Sequence, residues 1–127
     1  KAGDVDTAAV LLKTASGKIC QISCSRRATY GYDQRIEVHG SKGLLTAGNV
    51  LETTVKFASK NGIAADPVQN FFLERYDAAY RNELNAFIDD VTKKKKPNPS
   101  GFDGLQALVL ADAAQRSHET GKPVRVG

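Results

Sequence analysis

The densest group of polar and aromatic side chains in the sequence lies between Ser25 and Arg35. This segment has three arginines, two tyrosines, an aspartate and a glutamine around Gly31, which separates Tyr30 from Tyr32. Arginine presents a fixed fork of donors and tyrosine a hydroxyl, so the segment has the chemistry to bind a hydroxyl-rich or anionic small molecule. A surface connection, with tyrosines covering a sheet edge and arginines paired with acids, has the same composition. The residue types alone leave both interpretations open.

Motifs for other kinds of chemistry are absent from the sequence. It has no Gly-x-Gly-x-x-Gly turn, no phosphate-binding loop, no His-Glu-x-x-His pair and no nucleophile elbow. The two histidines, His39 and His118, are isolated and are predicted to lie on the surface. The neighbouring carboxylates Asp89 and Asp90 lie where a helix is expected to end. We therefore assign no catalytic residue, cofactor-binding residue or metal ligand to this chain.

The positive charge is concentrated in one short run. Lys plus Arg is 18 and Asp plus Glu is 14, so the formal net charge is +4, and Lys93–Lys96 alone supplies four positive charges. Nucleic-acid-binding segments usually interleave basic with aromatic residues, whereas this run leads directly into Pro97 and Pro99. We expect a solvated helix end, where cations favour the negative end of the helix dipole. Polyanion binding by these lysines is the least favoured function.

The two cysteines, Cys20 and Cys24, alternate with polar residues in a pattern typical of a half-buried strand. Four strand steps separate them by about 13 Å, which is beyond the reach of a disulfide. Further ligands do not cluster beside them, so a metal site is not expected. They are predicted to be buried, reduced thiols, which favours a cytoplasmic location.

Strands and tight turns are predicted for the first two-thirds of the chain. Strands are expected at residues 7–14, 19–26, 34–40, 44–47, 50–59 and 63–65. A helix is expected from residue 71, because apolar residues then recur every three or four positions. The members of this stripe are Leu73, Tyr76, Tyr80, Leu84, Phe87, Ile88 and Val91. Ser100 and Asp103 predict the capped start of a second helix that ends at Gly121, and residues 124–126 are expected to return as an edge strand.

These elements predict an α+β fold in a single domain covering residues 1–127. An open, mainly antiparallel β-sheet would have the two helices packed on one face. The other face would meet solvent or a partner, so self-association is expected. The longest apolar runs fall short of the roughly 20 residues of a membrane-spanning helix. Because the chain contains no methionine and begins with Lys1, it is expected to be part of a longer protein.

The segment from Ser25 to Val38, followed by Gly40-Ser41-Lys42-Gly43, closely resembles the inositol-dehydrogenase branch of a known family. This is the glucose–fructose oxidoreductase/inositol dehydrogenase/MocA (Gfo/Idh/MocA) family of oxidoreductases. Further similarity is found in Phe71–Tyr76, Ala79-Tyr80, Glu83-Leu84, Phe87, Asp103–Leu108 and Gly121–Val124. The similarity covers nearly the whole chain in order, with gaps mainly around Val50–Asp66.

The resemblance implies an N-terminal Rossmann domain that binds NAD(P) and a C-terminal α+β domain that shapes the substrate pocket. The family's catalytic Lys, Asp and His precede the matched region. The chain is therefore expected to be a C-terminal substrate-binding and oligomerisation domain, inactive alone and without bound NAD. In the family the open sheet face makes dimer or tetramer contacts.

The resemblance also implies roles for three tyrosines. Tyr32 is implied as a contact to a hydroxyl of a cyclic polyol or sugar such as myo-inositol, with Tyr30 as a second candidate. Tyr80 either approaches the pocket or a subunit contact, or simply extends the apolar stripe around Tyr76. The alternative function is a noncatalytic interaction domain that forms a dimer or tetramer through the open sheet face and binds no sugar.

Overall fold

The structure, a computed structural model, describes residues 3–126 of the chain. In this part of the chain six strands precede two helices. The strands are β1 (Thr7–Lys13), β2 (Ile19–Ser25), β3 (Ile36–Gly40), β4 (Gly43–Ala47), β5 (Lys56–Ser59) and β6 (Gly62–Ala65). The helices are α1 (Phe72–Thr92) and α2 (Gly101–Thr120). The predicted α+β class is confirmed.

The strands pair as successive hairpins. Within residues 3–126, β1 pairs with β2, β3 with β4, and β5 with β6, which gives three two-stranded sheets. The antiparallel register of β3 and β4 runs from Ile36 opposite Ala47 to Gly40 opposite Gly43. The predicted hairpins are therefore present, but the single continuous sheet is not found among these residues. The segments between hairpins use some of their backbone groups in turns and others in isolated bonds to distant residues, such as that from the Tyr32 N–H to the Gln69 carbonyl.

The described residues form two compact units. The first contains residues up to 8 together with 24–82, and the second contains residues 9–23 together with those from 83 onwards. The first unit includes β3 to β6 and the first half of α1, and therefore the whole Tyr30–Arg35 segment. The second unit includes all of α2.

Two predicted strands differ from the structure. Of residues 50–59 only Lys56–Ser59 is a strand, because Leu51 instead forms an isolated antiparallel bridge with Val68. After this bridge the backbone N–H of Val55 donates to the hydroxyl of Thr53 at 3.1 Å, which turns the chain before β5. The predicted edge strand at residues 124–126 is wrong, since these residues pair with no described strand.

The predicted burial of the two cysteines is also wrong. Cys20 and Cys24 are free thiols, as expected, but both are exposed. Every residue of β2 is exposed, so within residues 3–126 neither face of this strand is buried. Apart from the half-buried Tyr76, the apolar stripe of α1 is exposed in the same way, and none of the described residues in that helix is buried.

The ends of α2 agree with the sequence prediction. The carboxylate of Asp103 accepts hydrogen bonds from the backbone N–H and the hydroxyl of Ser100, both at 2.7 Å. These bonds lower the pKa of Asp103, with the backbone bond as the larger cause. Gly121 closes the helix with φ of 63°, in the left-handed conformation that favours glycine.

A close backbone contact fixes the segment that contains the two tyrosines. The N–H of Tyr32 donates to the carbonyl of Gln69 at 2.8 Å. Gly31, which is buried, has φ of 128°, and a Cβ at this position would lie 2.7 Å from the Val68 carbonyl oxygen. The Val68–Gln69 segment is itself held by the N–H of Gln69, which donates to the carbonyl of Val50 at 3.0 Å. Only glycine fits where the two backbones meet.

We predict that Gly31→Ala destabilises the protein by about 1–3 kcal/mol, because the new methyl group meets backbone atoms at a disfavoured φ. Chemical denaturation followed by circular dichroism measures this loss. Gly62→Ala is the matched control, since Gly62 has a similar φ of 119° but nothing within 4 Å of the added Cβ. Equal destabilisation by the two substitutions would contradict a steric role for the Val68 backbone.

Candidate functional site

The connection between β2 and β3 places Tyr30 and Tyr32 against different groups. Tyr32 is half-buried and faces α1, whereas Tyr30 is 55% exposed and binds a carboxylate of its own segment. Arg26 and Arg27, which precede the tyrosines, are exposed, and the N–H of Arg26 donates to the carbonyl of Asp6 at 2.8 Å. The dense segment seen in the sequence is therefore divided into an aromatic part and an ionic part.

Asp33 is the centre of the ionic part. Arg35 binds its carboxylate through two nitrogens, Nε to Oδ1 at 2.8 Å and Nη2 to Oδ2 at 2.9 Å. The hydroxyl of Tyr30 donates to Oδ2, and the amide Nδ2 of Asn49 donates to Oδ1 at 2.8 Å. Charge-assisted, bidentate pairs of this kind give both strength and a defined geometry. The Asp33 carboxylate is thus fully occupied within the protein, whereas Arg35 uses two of its five N–H donors on it.

The hydrogen bonds to Asp33 change the proton affinities of the group. The bonds from Arg35, then those from Tyr30 and Asn49, hold the pKa of Asp33 far below its usual value. The same contact raises the pKa of Tyr30, because its hydroxyl donates to a carboxylate that would repel a phenolate. At neutral pH the cluster therefore holds an ionised carboxylate, a guanidinium and a neutral phenol.

Asn49 joins this cluster to the chain after β4. Its Oδ1 accepts the backbone N–H of Gln34 at 2.8 Å, while its Nδ2 donates to Asp33. The sequence predicts only a Gly48-Asn49 turn at this position. Nothing in the local pattern indicates that the amide reaches 16 residues back along the chain.

An aromatic series connects Tyr32 to α1. The ring of Tyr32 meets the ring of Tyr76 edge to face, with centroids 5.5 Å apart and an interplanar angle of 82°. Tyr76 in turn meets Tyr80 edge to face at 6.1 Å. A hydrogen-bonding interaction of the Tyr76 hydroxyl with the side chain of Tyr32 is the main cause that raises the pKa of Tyr76, followed by burial. Tyr80 therefore continues the series from Tyr76 along the helix, although it is 47% exposed and not a core residue.

Arg75 lies beside the aromatic series and was not anticipated from the sequence. Its guanidinium carbon is 5.6 Å from the centroid of the Tyr76 ring, within the range of a cation–π interaction. Its Nε–H is buried and has no hydrogen-bond partner within residues 3–126. A helical arginine next to a tyrosine is common in sequences, so the residue types alone did not distinguish it.

The remaining candidates lie apart from these groups. His39 is exposed on β3, and His118 is exposed in the last turn of α2. Lys93 binds Asp89 through Nζ at 2.6 Å, and the backbone N–H of Lys95 donates to the carbonyl of Asp90 at 2.9 Å. The start of the lysine run thus closes α1, as predicted for a helix end.

A metal ion and NAD each require a particular arrangement of residues. In residues 3–126 there is no group of three or more His, Cys, Asp or Glu side chains placed to hold a metal ion. A dinucleotide needs a glycine-rich turn between a parallel strand and a helix N-terminus. The pairs β3–β4 and β5–β6 are antiparallel, and β6 reaches α1 through a segment with no glycine. The described part of the chain does not fit NAD.

Neither α1 nor α2, as described, is long and apolar enough to cross a bilayer.

We predict that Asp33→Ala lowers the pKa of Tyr30 toward the ordinary tyrosine value of about 10. The raised pKa in the native protein means that the Tyr30–Asp33 bond is fully present below pH 10 and is lost as the pH rises through the raised value. Near-ultraviolet difference absorbance measures the ionisation, with Tyr30→Phe to identify the relevant transition. Asp4→Ala, an exposed aspartate outside the cluster, is the control. An unchanged Tyr30 titration in Asp33→Ala would contradict the assignment.

Comparison with known proteins identifies relatives over the whole described length. Residues 1–126 match the GFO_IDH_MocA_C family, described as "Oxidoreductase family, C-terminal alpha/beta domain". The inositol 2-dehydrogenase of Rhizobium meliloti is 54% identical over 116 residues, which are 91% of this chain and 35% of that protein. The myo-inositol 2-dehydrogenase of Thermotoga maritima is 50% identical over 126 residues, which are 99% of this chain and 38% of that protein.

The structural comparison gives the same relationship. A crystal structure of a probable dehydrogenase from Thermotoga maritima superposes with a TM-score of 0.94 at 50% identity, covering 98% of this chain and 38% of that one. The chain thus spans little more than a third of the length of these relatives. The sequence match and the shared fold agree, and the chain belongs to the C-terminal domain family of the Gfo/Idh/MocA oxidoreductases.

Proposed function

We propose that the chain is the C-terminal substrate-binding and oligomerisation domain of an NAD-dependent oxidoreductase of the inositol 2-dehydrogenase type. In this proposal residues 1–127 form one domain, and the substrate is a cyclic polyol or sugar such as myo-inositol. The observation that supports it best is the 54% identity to an inositol 2-dehydrogenase over 91% of the chain. The two free cysteines of the chain, Cys20 and Cys24, favour a cytoplasmic location.

The domain contributes a polyol contact in this proposal, and Tyr32 is the main one. The Tyr32 phenol can donate and accept a hydrogen bond, which suits a substrate hydroxyl. The hydrogen bond from the Tyr32 N–H to the Gln69 carbonyl holds the segment around Tyr32. The Tyr32 side chain is outside the hydrogen-bonded cluster around Asp33. Tyr30 is the second contact, but its hydroxyl already donates to Asp33, so only its oxygen lone pairs are available to substrate.

The reactive groups lie outside this chain in the proposal. The described residues do not fit NAD, and none of them is assigned to take the proton or the hydride. The domain would bind and orient the polyol, while the cofactor and the acid–base groups would belong to an N-terminal part of the longer enzyme. The isolated chain should therefore reduce no NAD above the blank with myo-inositol.

We predict that Tyr32→Phe in the longer enzyme raises the KM for myo-inositol about two- to tenfold, the effect of losing one hydrogen bond. The KM for NAD should stay nearly unchanged, because in this proposal Tyr32 contacts the polyol and not the cofactor. Steady-state kinetics with each substrate varied in turn measures both constants. Tyr30→Phe is the matched control and should have the smaller effect. Equal losses for polyol and NAD would instead assign Tyr32 a structural role.

Self-association through exposed strands is the second part of the proposal. The register of β3 and β4 puts Val38 opposite Leu45 and Ile36 opposite Ala47, so these residues share one apolar face. Leu45 is 74% exposed and Val38 is 55% exposed. An exposed apolar face of this kind favours contact with another protein surface, here a second copy of the chain.

We predict that light scattering shows a dimer or tetramer whose mass is independent of protein concentration. Leu45→Lys should reduce the mass, because a charge on the apolar face opposes its burial against a second copy. Thr46→Lys is the matched control, since Thr46 pairs with Glu37 on the opposite face of the same hairpin. A monomeric native chain at every concentration would exclude this surface as an interface.

A further inference from the structure

The position of the Tyr32 phenol depends on more than the backbone of its segment. The hydrogen bond from the Tyr32 N–H to Gln69 fixes the main chain. This bond does not select the side-chain rotamer of Tyr32, whose ring can still take any of the staggered positions about the Cα–Cβ bond. A neighbouring group must therefore hold the ring if the hydroxyl is to meet a substrate in one defined place.

Tyr76 is the neighbour that contacts this ring. The two rings meet at 82° with centroids 5.5 Å apart, close to the edge-to-face arrangement that aromatic quadrupoles favour. Most side chains of α1 are exposed, whereas Tyr76 is half-buried. Helix α1 thus presents one of its few covered side chains at the point where Tyr32 lies.

Tyr76 is itself held from two further directions. The ring of Tyr80, one helical turn later, packs edge to face against it at 6.1 Å. The guanidinium carbon of Arg75 lies 5.6 Å from the centroid of the Tyr76 ring. A ring that is held by the helix and by two neighbours is a firmer support than a side chain exposed on all sides.

We propose that Tyr76 is a positioning residue that orients Tyr32 for polyol binding and acts through its aromatic ring. This inference rests on the proposed function of Tyr32 as the polyol contact. The interaction between the quadrupoles of two rings is present in phenylalanine as well, so the hydroxyl of Tyr76 is not needed for it. A phenol that is already oriented loses little rotational freedom when it binds substrate. Removal of the Tyr76 ring should therefore weaken polyol binding.

The test is a set of variants in the longer enzyme, measured by steady-state kinetics for polyol and NAD. Tyr76→Leu, which removes the ring, should raise the KM for myo-inositol about two- to tenfold, the usual worth of an aromatic pair. Its KM for NAD should be unchanged. Tyr76→Phe, which keeps the ring, should behave as the native enzyme. The melting temperature of each variant separates this effect from a general loss of stability.

A double variant distinguishes positioning of Tyr32 from an independent effect. If Tyr76 acts by orienting the Tyr32 hydroxyl, Tyr76→Leu should add nothing to the KM when Tyr32→Phe has already removed that hydroxyl. Additive effects, or a KM increase in Tyr76→Phe equal to that in Tyr76→Leu, would overturn the inference and leave the role of Tyr32 standing. No change in KM with Tyr32→Phe alone would overturn both.

A second substitution covers the case in which Tyr76→Leu fails to fold. Methionine is nearly as long as tyrosine, favours helices and has no ring, so Tyr76→Met should fold and show the same increase in polyol KM. A native KM in Tyr76→Met would contradict the role of the ring.

Discussion

The close meeting of two backbones at Gly31 is the constraint on which the rest of the site depends. The Tyr32 N–H binds the Gln69 carbonyl, and the chain reaches this position only because Gly31 has no side chain against Val68. Once this contact is made, Tyr32 points toward α1 and Asp33 toward Asn49. A segment rich in charged and aromatic residues is thereby divided by a single glycine into two parts with different chemistry.

The ionic part contributes order more than binding. Arg35, Tyr30 and Asn49 all direct hydrogen bonds to one carboxylate, that of Asp33. Such a saturated anion has little remaining capacity for a ligand, but it fixes the residues around it. The aromatic part has a different character, because its rings meet edge to face and restrict one another's orientation. The segment thus separates an ionic group centred on Asp33 from an aromatic group centred on Tyr32.

The elements set by local patterns could be predicted from the sequence. Alternation gave the β3–β4 hairpin, a three-to-four-residue period gave α1, and Ser100 with Asp103 gave the start of α2. Contacts between distant residues could not be predicted, because nothing in the sequence around Asn49 or Gln69 indicates which residues they bind. The predicted burial of the two cysteines is wrong for a related reason. Alternation shows that Cys20 and Cys24 share a face, but whether that face is covered depends on what packs against it.

The amide of Asn49 has a chemical consequence for the ageing of the protein. Its oxygen accepts an N–H and its nitrogen donates to a carboxylate, so the two ends cannot be exchanged by rotation of the amide. Hydrolysis of this amide by water would release ammonia and leave a carboxylate beside that of Asp33. Two like charges would then lie side by side, and their repulsion would raise the pKa of one of the two carboxyls. Replacement of the Asn49 side-chain nitrogen by oxygen would thus turn an attraction to the Asp33 carboxylate into a repulsion.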